Sequence, residues 1–285
     1  MATIILGSVQ FGIPYGINNN LGIPDIEEVI TLLDFARSNG ITIIDTAAAY
    51  GAAQNKIAAY HQNHQPFEII TKVHLEGQEN IQQSIEASLE NLYITSFHTI
   101  LYHRFSDYMK FPKEHRSLMT MKKQGLMKYA GVSIYSNDEF SRAIQLDWVD
   151  VIQFPYNLLD NDAQRGALIN TAKKAGKILH SRSVFLQGLL MKPIKDFPLA
   201  LHPLKKYLAN ISQAESRHQI QRLSLCINYA LQNKLLDGVL IGVDTKEQLK
   251  QNINASLTPI TNALMHEIDH IKVTEIDLLY PYNWP

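Results

Sequence analysis

The chain has 285 residues and a formal net charge of −1, which excludes several classes of partner. There is no basic excess to indicate binding to nucleic acid or to an anionic membrane surface. Cys226 is the single cysteine, so no internal disulfide is possible and a reducing compartment is expected. The first residues lack a basic segment, and no uncharged stretch reaches the roughly 18 apolar residues of a membrane span. We therefore expect a cytoplasmic protein that binds neither nucleic acid nor membranes.

Short apolar runs alternate with segments of helical periodicity along the whole chain. The predicted strands are residues 4–6, 41–45, 67–72, 97–102, 127–133, 149–154, 177–181 and 238–241. Helices are predicted over 24–40, 54–60, 81–92, 163–175, 220–231, 246–257 and 262–273. One further helix is expected to end near Gly125, and another to begin at Asn137. A long connection with prolines at 193, 198 and 203 is expected before the helix at 220.

Eight strands joined by connections too long for hairpins indicate parallel pairing. Eight strand–helix units are also the number that a closed barrel requires. Because no sequence repeat, low-complexity tract or linker divides the chain, we expect one domain over residues 1–285. The predicted fold is α/β, a single (β/α)8 TIM barrel with an extra C-terminal helix.

Four polar side chains lie at or just after the ends of consecutive predicted strands, where a barrel keeps its chemistry. Asp45 ends the second strand, Lys72 ends the third, and His103 follows the fourth. Tyr50 comes from the loop after Asp45. A phenol is a poor proton donor near neutral pH unless a nearby cation lowers its pKa. We expect Lys72 to supply that cation, Asp45 to hold Lys72 in place, and His103 to orient a substrate carbonyl.

These four residues, in this strand order, resemble the tetrad of the aldo-keto reductase superfamily. Other segments similar to the family follow along nearly the whole chain, and their order carries the resemblance more than any single piece. They are 6–12 (LGSVQFG), 131–133 (GVS), 151–154 (VIQF), 183–190 (SVFLQGLL) and 241–252 (IGVDTKEQLKQN). The resemblance implies that NAD(P)H passes a hydride to an aldehyde or ketone while Tyr50 donates the proton.

The resemblance also implies a set of cofactor-binding positions and no metal. These positions are Ser133, Gln153, Arg182, Ser183, Phe185, Gly242, Gln248 and Asn252. By the resemblance, the first two hold the nicotinamide carboxamide, Ser183 and Phe185 reach the pyrophosphate, and the last two lie near the adenine.

Two positions near the nicotinamide depart from the family pattern. Ile134 stands where the family usually has Asn, which removes one amide contact. Arg182 stands where an aromatic side chain commonly stacks on the nicotinamide. A guanidinium plane can also stack, but it brings a charge.

A third departure concerns the 2′-phosphate that distinguishes NADPH from NADH. Many NADPH-preferring members have Lys or Arg at the positions of Gly242 and Gln248, whereas this chain has neither there and has Asp244 nearby. A phosphate needs charge-assisted partners, and Lys246 is the only close cation in the sequence. The expected cofactor is NADP(H), with NAD(H) as the alternative.

Other interpretations stay open at this level, because each of the four tetrad residues has an ordinary structural role when taken alone. The unusual Ile134 and Arg182 leave room for a non-catalytic dinucleotide-binding regulator on the same barrel. Residues 266–270 (HEIDH) match the HExxH pattern of metalloproteases, so a zinc hydrolase is a third interpretation. A solvated face of the terminal helix explains that segment better.

The substrate is expected to be a small-molecule carbonyl compound. The loops after the first, fourth and seventh strands should shape its pocket. Phe11, Tyr15, Phe105 and Tyr108 would make that pocket partly aromatic. Neither the physiological substrate nor the oligomeric state follows from the sequence.

Overall fold

The computed structural model describes residues 2–74 and 81–284. Eight parallel strands close into a barrel in the order in which they occur along the chain. The strands are β1 (Thr3–Gly7), β2 (Ile43–Asp45), β3 (Glu68–Val73), β4 (Phe97–Tyr102), β5 (Met127–Ser133), β6 (Val151–Pro155), β7 (Ile178–Arg182) and β8 (Gly238–Gly242). The predicted (β/α)8 barrel is confirmed, and the predicted bounds of β4 and β5 agree with the observed ones.

Helices connect the strands on the outside of the barrel. They are α1 (Ile26–Ser38), α2 (Ala53–His61), α3 (Ile81–Leu92), α4 (Phe105–Lys110), α5 (His115–Lys123), α6 (Asn137–Ile144), α7 (Asp162–Lys174), α8 (Lys205–His218), α9 (Arg222–Leu231), α10 (Lys246–Ser256) and α11 (Asn262–Asp269). The extra C-terminal helix is confirmed as α11. None of the helices in the described part of the chain has the length and apolar character to cross a bilayer.

The predicted connection between β7 and residue 220 is wrong in its second half, which forms α8. The prolines that suggested an irregular segment precede this helix, and Pro203 lies in the 3-10 helix Leu199–Leu204 ahead of it. The apolar face of α8 repeats at helical spacing and is buried: Tyr207, Leu208, Ile211 and Ala214. The prolines therefore do not interrupt the helix, and its apolar face packs next to α9 and α11.

Helix α1 shows how local sequence sets the bounds of an element. The Asp25 side chain accepts a hydrogen bond from the Glu28 amide at 2.8 Å, and the Glu28 carboxylate accepts one from the Asp25 amide at 2.8 Å. This reciprocal capping satisfies amide groups that have no partner within the helix. The apolar residues Val29, Leu32, Leu33 and Ala36 are then buried on one face.

The interior of the barrel is filled by side chains from alternate positions of its strands. A separate apolar cluster lies there, formed by Ile5, Ile70, Leu101, Val151 and Leu240. Such packing makes the interior a core rather than a pore, so ligands bind at the carboxyl ends of the strands.

The loops after β1 and β7 are joined to each other above those carboxyl ends. The amide of Ile17 donates to the Gln187 carbonyl at 3.0 Å, and Asn18 donates to the Gly188 carbonyl at 2.7 Å. Gln187 also donates through its side chain to the hydroxyl of Tyr15 at 3.2 Å. Its backbone is left-handed, with φ of 52°, a conformation that costs roughly 1–2 kcal/mol outside glycine and concentrates at functional sites.

Candidate active site

A cavity of about 620 Å³ lies at the carboxyl ends of the strands. Every residue that the sequence predicts for catalysis or cofactor binding lines it: Asp45, Tyr50, Lys72, His103, Ser133, Gln153, Arg182, Ser183, Phe185, Gly242, Gln248 and Asn252. The barrel therefore brings side chains from all parts of the chain into one site. Their individual roles depend on the geometry within it.

Asp45 and Lys72 form an ion pair at the bottom of the cavity, where their exposed fractions are only 3% and 5%. Lys72 donates to one carboxylate oxygen of Asp45, and the amide of Gln153 donates to the other at 2.9 Å. Burial lowers the pKa of Lys72, but the charge of Asp45 and the neighbouring Tyr50 outweigh it, so that the pKa is raised. Lys72 is thus a fixed cation at neutral pH.

Tyr50 presents its hydroxyl to this cation, 3.4 Å from Nζ of Lys72. Burial raises the pKa of Tyr50, while Lys72 lowers it and Asp45 raises it again. The pKa is raised overall, so the expectation that Lys72 brings it below its ordinary value is wrong without a bound ligand, because burial dominates. Tyr50 is consequently a protonated phenol at neutral pH.

The loop that carries Tyr50 packs directly against Gly12. A Cβ atom at Gly12 would lie 1.7 Å from the carbonyl oxygen of Tyr50 and 2.6 Å from the amide nitrogen of Ala53. Only a residue without a side chain allows this approach. The glycine in the loop after β1 therefore determines where the phenol stands.

His103 faces Tyr50 across the cavity, with ring centroids 5.9 Å apart and planes nearly perpendicular. Burial, followed by the charges of Lys72, Arg104 and Arg182, lowers the pKa of His103 to about 3. The imidazole is therefore neutral at physiological pH and can donate a hydrogen bond through its one N–H group.

Arg182 is held against the wall of the cavity by its neighbours. Its guanidinium donates to the carbonyl of Ile134 at 3.0 Å and to the hydroxyl of Ser183 at 3.2 Å, and it stacks on the ring of Tyr135 at 4.1 Å. The guanidinium is thus anchored by the main chain at Ile134, a contact that any residue at this position would offer. The Ile134 side chain itself is fully buried.

Several buried polar atoms of the cavity have no hydrogen-bond partner in the described part of the chain. They include Oγ of Ser8, Oε1 of Gln10, Oε1 of Gln153 and Nε of Arg182. Buried polar groups are normally satisfied, so the presence of several unpaired ones around this cavity fits a polar ligand such as a dinucleotide. The amide of Gln10 also lies against Gly242, where a Cβ atom would approach it to 2.7 Å.

The far end of the cavity carries a carboxylate. Asp244 accepts from Asn19 at 3.1 Å, and its amide donates to the side chain of Gln248 at 2.7 Å. Burial raises the pKa of Asp244, and the Gln248 contact partly offsets this effect. Lys246, the expected cation, instead packs over the ring of Phe35 at 5.7 Å and does not line the cavity.

Comparison with known proteins places this chain in a family. The model of the Aldo/keto reductase family matches residues 3–273. The chain belongs to the aldo/keto reductase family. Membership implies an oxidoreductase that uses a nicotinamide cofactor on small-molecule carbonyl compounds.

Curated relatives are identical to this chain at about a quarter of the aligned positions. An aldo-keto reductase of Gibberella moniliformis is 27% identical over 209 residues, which is 67% of this chain and 61% of that protein. L-galactose dehydrogenase of Arabidopsis thaliana is 25% identical over 272 residues, covering 86% of this chain and 83% of the plant protein. L-glyceraldehyde 3-phosphate reductase of Escherichia coli (strain K12) is 24% identical over 222 residues, covering 68% and 64%.

Solved structures of aldo-keto reductases share the fold. The holo form of a Bacillus halodurans aldo-keto reductase superposes with a TM-score of 0.74 at 18% identity, covering 95% of this chain and 92% of that one. An aldo-keto reductase from a Medee basin deep-sea metagenome library has a TM-score of 0.71 at 17% identity, with the same coverage.

The aromatic lining of this aldo/keto reductase differs from the expected one. Tyr15 lines the cavity as expected, but Phe11, Phe105 and Tyr108 do not. Phe11 and Phe105 are buried in the core between helices and strands, and Tyr108 packs on Trp148 at 5.2 Å. Packing these rings among apolar side chains removes their surface from water, which is favourable.

Sequence reasoning missed several residues of the cavity, among them Arg104, Tyr135 and Tyr282. Arg104 directly follows His103, so its position after β4 was a usable signal. Tyr282 belongs to the C-terminal tail, whose path over the barrel mouth has no local signature. Its ring contacts that of Tyr135 at 4.7 Å.

The side chains of the HExxH segment make contacts with other groups of the protein. Glu267 forms an ion pair with Arg217 and accepts from His218 at 3.2 Å. His270 caps the end of α11, and its Nδ1 contacts the carbonyl of His266 at 2.6 Å. No group of three potential ligands that could hold a metal occurs in residues 2–74 and 81–284.

Proposed function

We propose that this aldo/keto reductase reduces an aldehyde or ketone to an alcohol with NAD(P)H and uses Tyr50 as the general acid. The observation that carries the proposal is the buried Asp45–Lys72 pair, whose ammonium lies 3.4 Å from the Tyr50 hydroxyl. Perturbed ionisable groups of this kind, gathered in a cleft, are characteristic of catalytic sites.

The cofactor, when bound, supplies the hydride for which proteins have no side chain. Tyr50 gives its proton to the carbonyl oxygen as negative charge develops there. Lys72 then stabilises the phenolate that is left, and Asp45 keeps Lys72 charged and in position. The neutral His103 donates a hydrogen bond to the same carbonyl oxygen and orients it.

Residues that line the cavity supply the proposed cofactor contacts. Ser133 and Gln153 would hold the carboxamide, since Oε1 of Gln153 stays free while its amide is committed to Asp45. Ser183 and Phe185 would meet the pyrophosphate. The guanidinium of Arg182 would lie against the nicotinamide in place of an aromatic ring.

The adenine end favours NADH over NADPH. Gln248, Asn252 and Asp244 line it, whereas the lysine and arginine residues that line the described cavity are Lys72, Arg104 and Arg182. A 2′-phosphate would meet a carboxylate rather than a cation, while a ribose hydroxyl could donate to that carboxylate. Gly242, packed against the Gln10 amide, adds no charge. We therefore propose NAD(H) as the preferred cofactor.

The decisive experiment compares Tyr50→Phe with the parent on a panel of aldehydes and ketones. We expect kcat to fall by about 10²- to 10⁴-fold, the usual contribution of a general acid–base group. The dissociation constant of NADH, measured by calorimetry, should stay within about threefold. Tyr129→Phe, outside the cavity, is the matched control. Reduction at the parent rate by Tyr50→Phe would contradict the assignment.

The same measurements distinguish catalysis from the second candidate function, that of a dinucleotide-binding regulator. Ile134 and Arg182, which alter the expected nicotinamide contacts, are the observations that favour it. Tight NADH binding by the parent without turnover of any carbonyl compound would support this role. Turnover abolished by Tyr50→Phe would exclude it.

A further inference from the structure

Two arginines line the cavity close to Tyr50 and His103 and have no acid to neutralise them. Arg104 follows His103 and is exposed at the mouth, and Arg182 ends β7. Neither forms an ion pair with a carboxylate in the described part of the chain. Lys72, in contrast, is paired with Asp45. The charge near the reacting groups is therefore positive by about two units, counting His103 as neutral.

The donors of these arginines are largely unused. Within residues 2–74 and 81–284, no hydrogen bond is made by the guanidinium of Arg104. Arg182 uses two of its nitrogens on Ile134 and Ser183 and leaves Nε buried without a partner. Arg104, whose guanidinium has no acceptor among the described residues, is therefore suited to bind a planar or tetrahedral anion.

Two phenols, those of Tyr135 and Tyr282, also line the cavity. The ring of Tyr135 lies between the guanidinium of Arg182 and the ring of Tyr282, at 4.1 Å and 4.7 Å. Burial and the charges of Glu139 and Asp277 raise the pKa of Tyr282, whereas the charge of Arg104 lowers it. Arg104 therefore lies near Tyr282. The hydroxyls of Tyr135 and Tyr282 make no hydrogen bond within the described residues. Both can donate to an anion.

The acids around these side chains are occupied elsewhere. The Glu139 carboxylate accepts from the amides of Tyr135 and Ser136 at 2.7 and 3.1 Å as the cap of α6. The Asp244 carboxylate is held by hydrogen bonds from Asn19 and Gln248. Neither Glu139 nor Asp277 lines the cavity, so an anion there meets arginine and phenol groups rather than carboxylates.

We propose that Arg104, together with the hydroxyls of Tyr135 and Tyr282, binds an anionic group carried by the carbonyl substrate, a carboxylate or a phosphate, while Arg182, held against the nicotinamide, adds its positive charge. This inference rests on the proposed carbonyl reduction, because it places the substrate's anion beside Tyr50 and His103. It narrows the substrate class from any aldehyde or ketone to acidic ones. The attraction should weaken as salt screens the charges.

The test compares 4-carboxybenzaldehyde with its uncharged methyl ester, and glyceraldehyde 3-phosphate with glyceraldehyde, in the presence of saturating NADH. For the parent, kcat/KM should be about 10- to 100-fold higher for at least one charged member of these pairs, the range expected for hydrogen bonds to a charged group. A preference for phosphate over carboxylate, or the reverse, identifies the anion. Equal or lower values for both charged members would overturn the proposal.

Variants then test whether Arg104 causes the preference for charged substrates. Arg104→Gln should reduce the charged-to-neutral ratio of kcat/KM at least about tenfold, and Arg104→Lys should restore part of it. Arg116→Gln removes an exposed arginine of α5 that does not line the cavity, and it should keep the ratio. An unchanged ratio in Arg104→Gln, accompanied by weaker NADH binding, would show instead that the arginine serves the cofactor.

A binding measurement separates failure of this inference from failure of the proposed reaction. Calorimetry of the NADH-saturated protein with 4-(hydroxymethyl)benzoate and with its methyl ester needs no turnover. Binding of the acid at least about tenfold tighter, lost in Arg104→Gln, would support the anion site even if no aldehyde is reduced. Equal binding of acid and ester would overturn it even if neutral aldehydes are reduced.

Discussion

The ammonium of Lys72 donates a hydrogen bond to the carboxylate of Asp45, and both side chains are almost fully buried at the base of the cavity. Burying two charges is unfavourable unless they are paired and their remaining hydrogen bonds are made. Gln153 and Tyr50 make those additional contacts. The pair thus links β2, β3 and β6 to the phenol proposed as the acid.

Asp45→Asn should destabilise the fold as well as the reaction. Removing one partner of a buried pair costs about 3–5 kcal/mol in the free energy of unfolding, which urea denaturation at pH 7 measures. The pKa of Lys72, raised in the parent, would fall in the variant because burial is no longer opposed. The unfolded chain would then bind more protons than the folded variant, so the variant's stability rises with pH towards 10.5.

In the parent, the contribution of Lys72 is present below pH 10.5 and is lost as pH rises through its raised pKa. The difference between parent and Asp45→Asn should therefore shrink from pH 7 to pH 10. Asp138→Asn, which breaks an exposed pair with Arg142, is the control and should cost less than about 1 kcal/mol. A difference that is constant over this range would show that Lys72 does not change its protonation.

His103 should stay neutral throughout the physiological range. Its pKa of about 3 lies below the ordinary 6.5, so imidazole NMR signals assigned with a His103→Gln variant should not titrate between pH 5 and 8. Since the unfolded chain binds more protons between those two pKa values, His103 makes stability fall on acidification. His103→Gln should lose less unfolding free energy from pH 7 to pH 4 than the parent. Titration near pH 6.5 would refute this expectation.

Gly12→Ala should impair catalysis by displacing Tyr50. The added methyl group would overlap the Tyr50 carbonyl, and a shift of about 1 Å at a reacting group can cost about a hundredfold in rate. We expect kcat to fall at least about tenfold in protein that circular dichroism shows to be folded. Gly166→Ala, whose Cβ atom would meet its nearest neighbour at 3.4 Å, should keep kcat. Parent-like kcat in Gly12→Ala would mean that the loop adapts.

Asp244→Asn should change the choice between cofactors. Replacing the carboxylate removes its repulsion of a 2′-phosphate, so the ratio of NADPH to NADH dissociation constants should fall about tenfold, or about 1.4 kcal/mol. The amide can still contact Asn19 and Gln248, which protects the local structure. Calorimetry with both cofactors measures the ratio, and Asp138→Asn controls for net charge. A ratio that does not move would place the 2′-phosphate away from Asp244.

The sequence by itself determined the barrel and the identity of its polar strand ends. Helical and strand periodicities are local properties, and a parallel eight-strand barrel is the arrangement that buries all these apolar runs. Asp45, Lys72 and His103 could be placed together because consecutive strand ends share one rim. The order of family-like segments added Ser133, Gln153 and the positions after β7 and β8, all of which line the cavity.

Only the tertiary structure decided the features that depend on how distant segments meet. Lys246 turned to Phe35 and left Asp244 to face the cavity, and Tyr282 reached the barrel mouth through the path of the C-terminal tail. Burial, which no local pattern reports, outweighed Lys72 in setting the pKa of Tyr50. Side-chain direction and desolvation follow from long-range packing, so they could be read only from the folded chain.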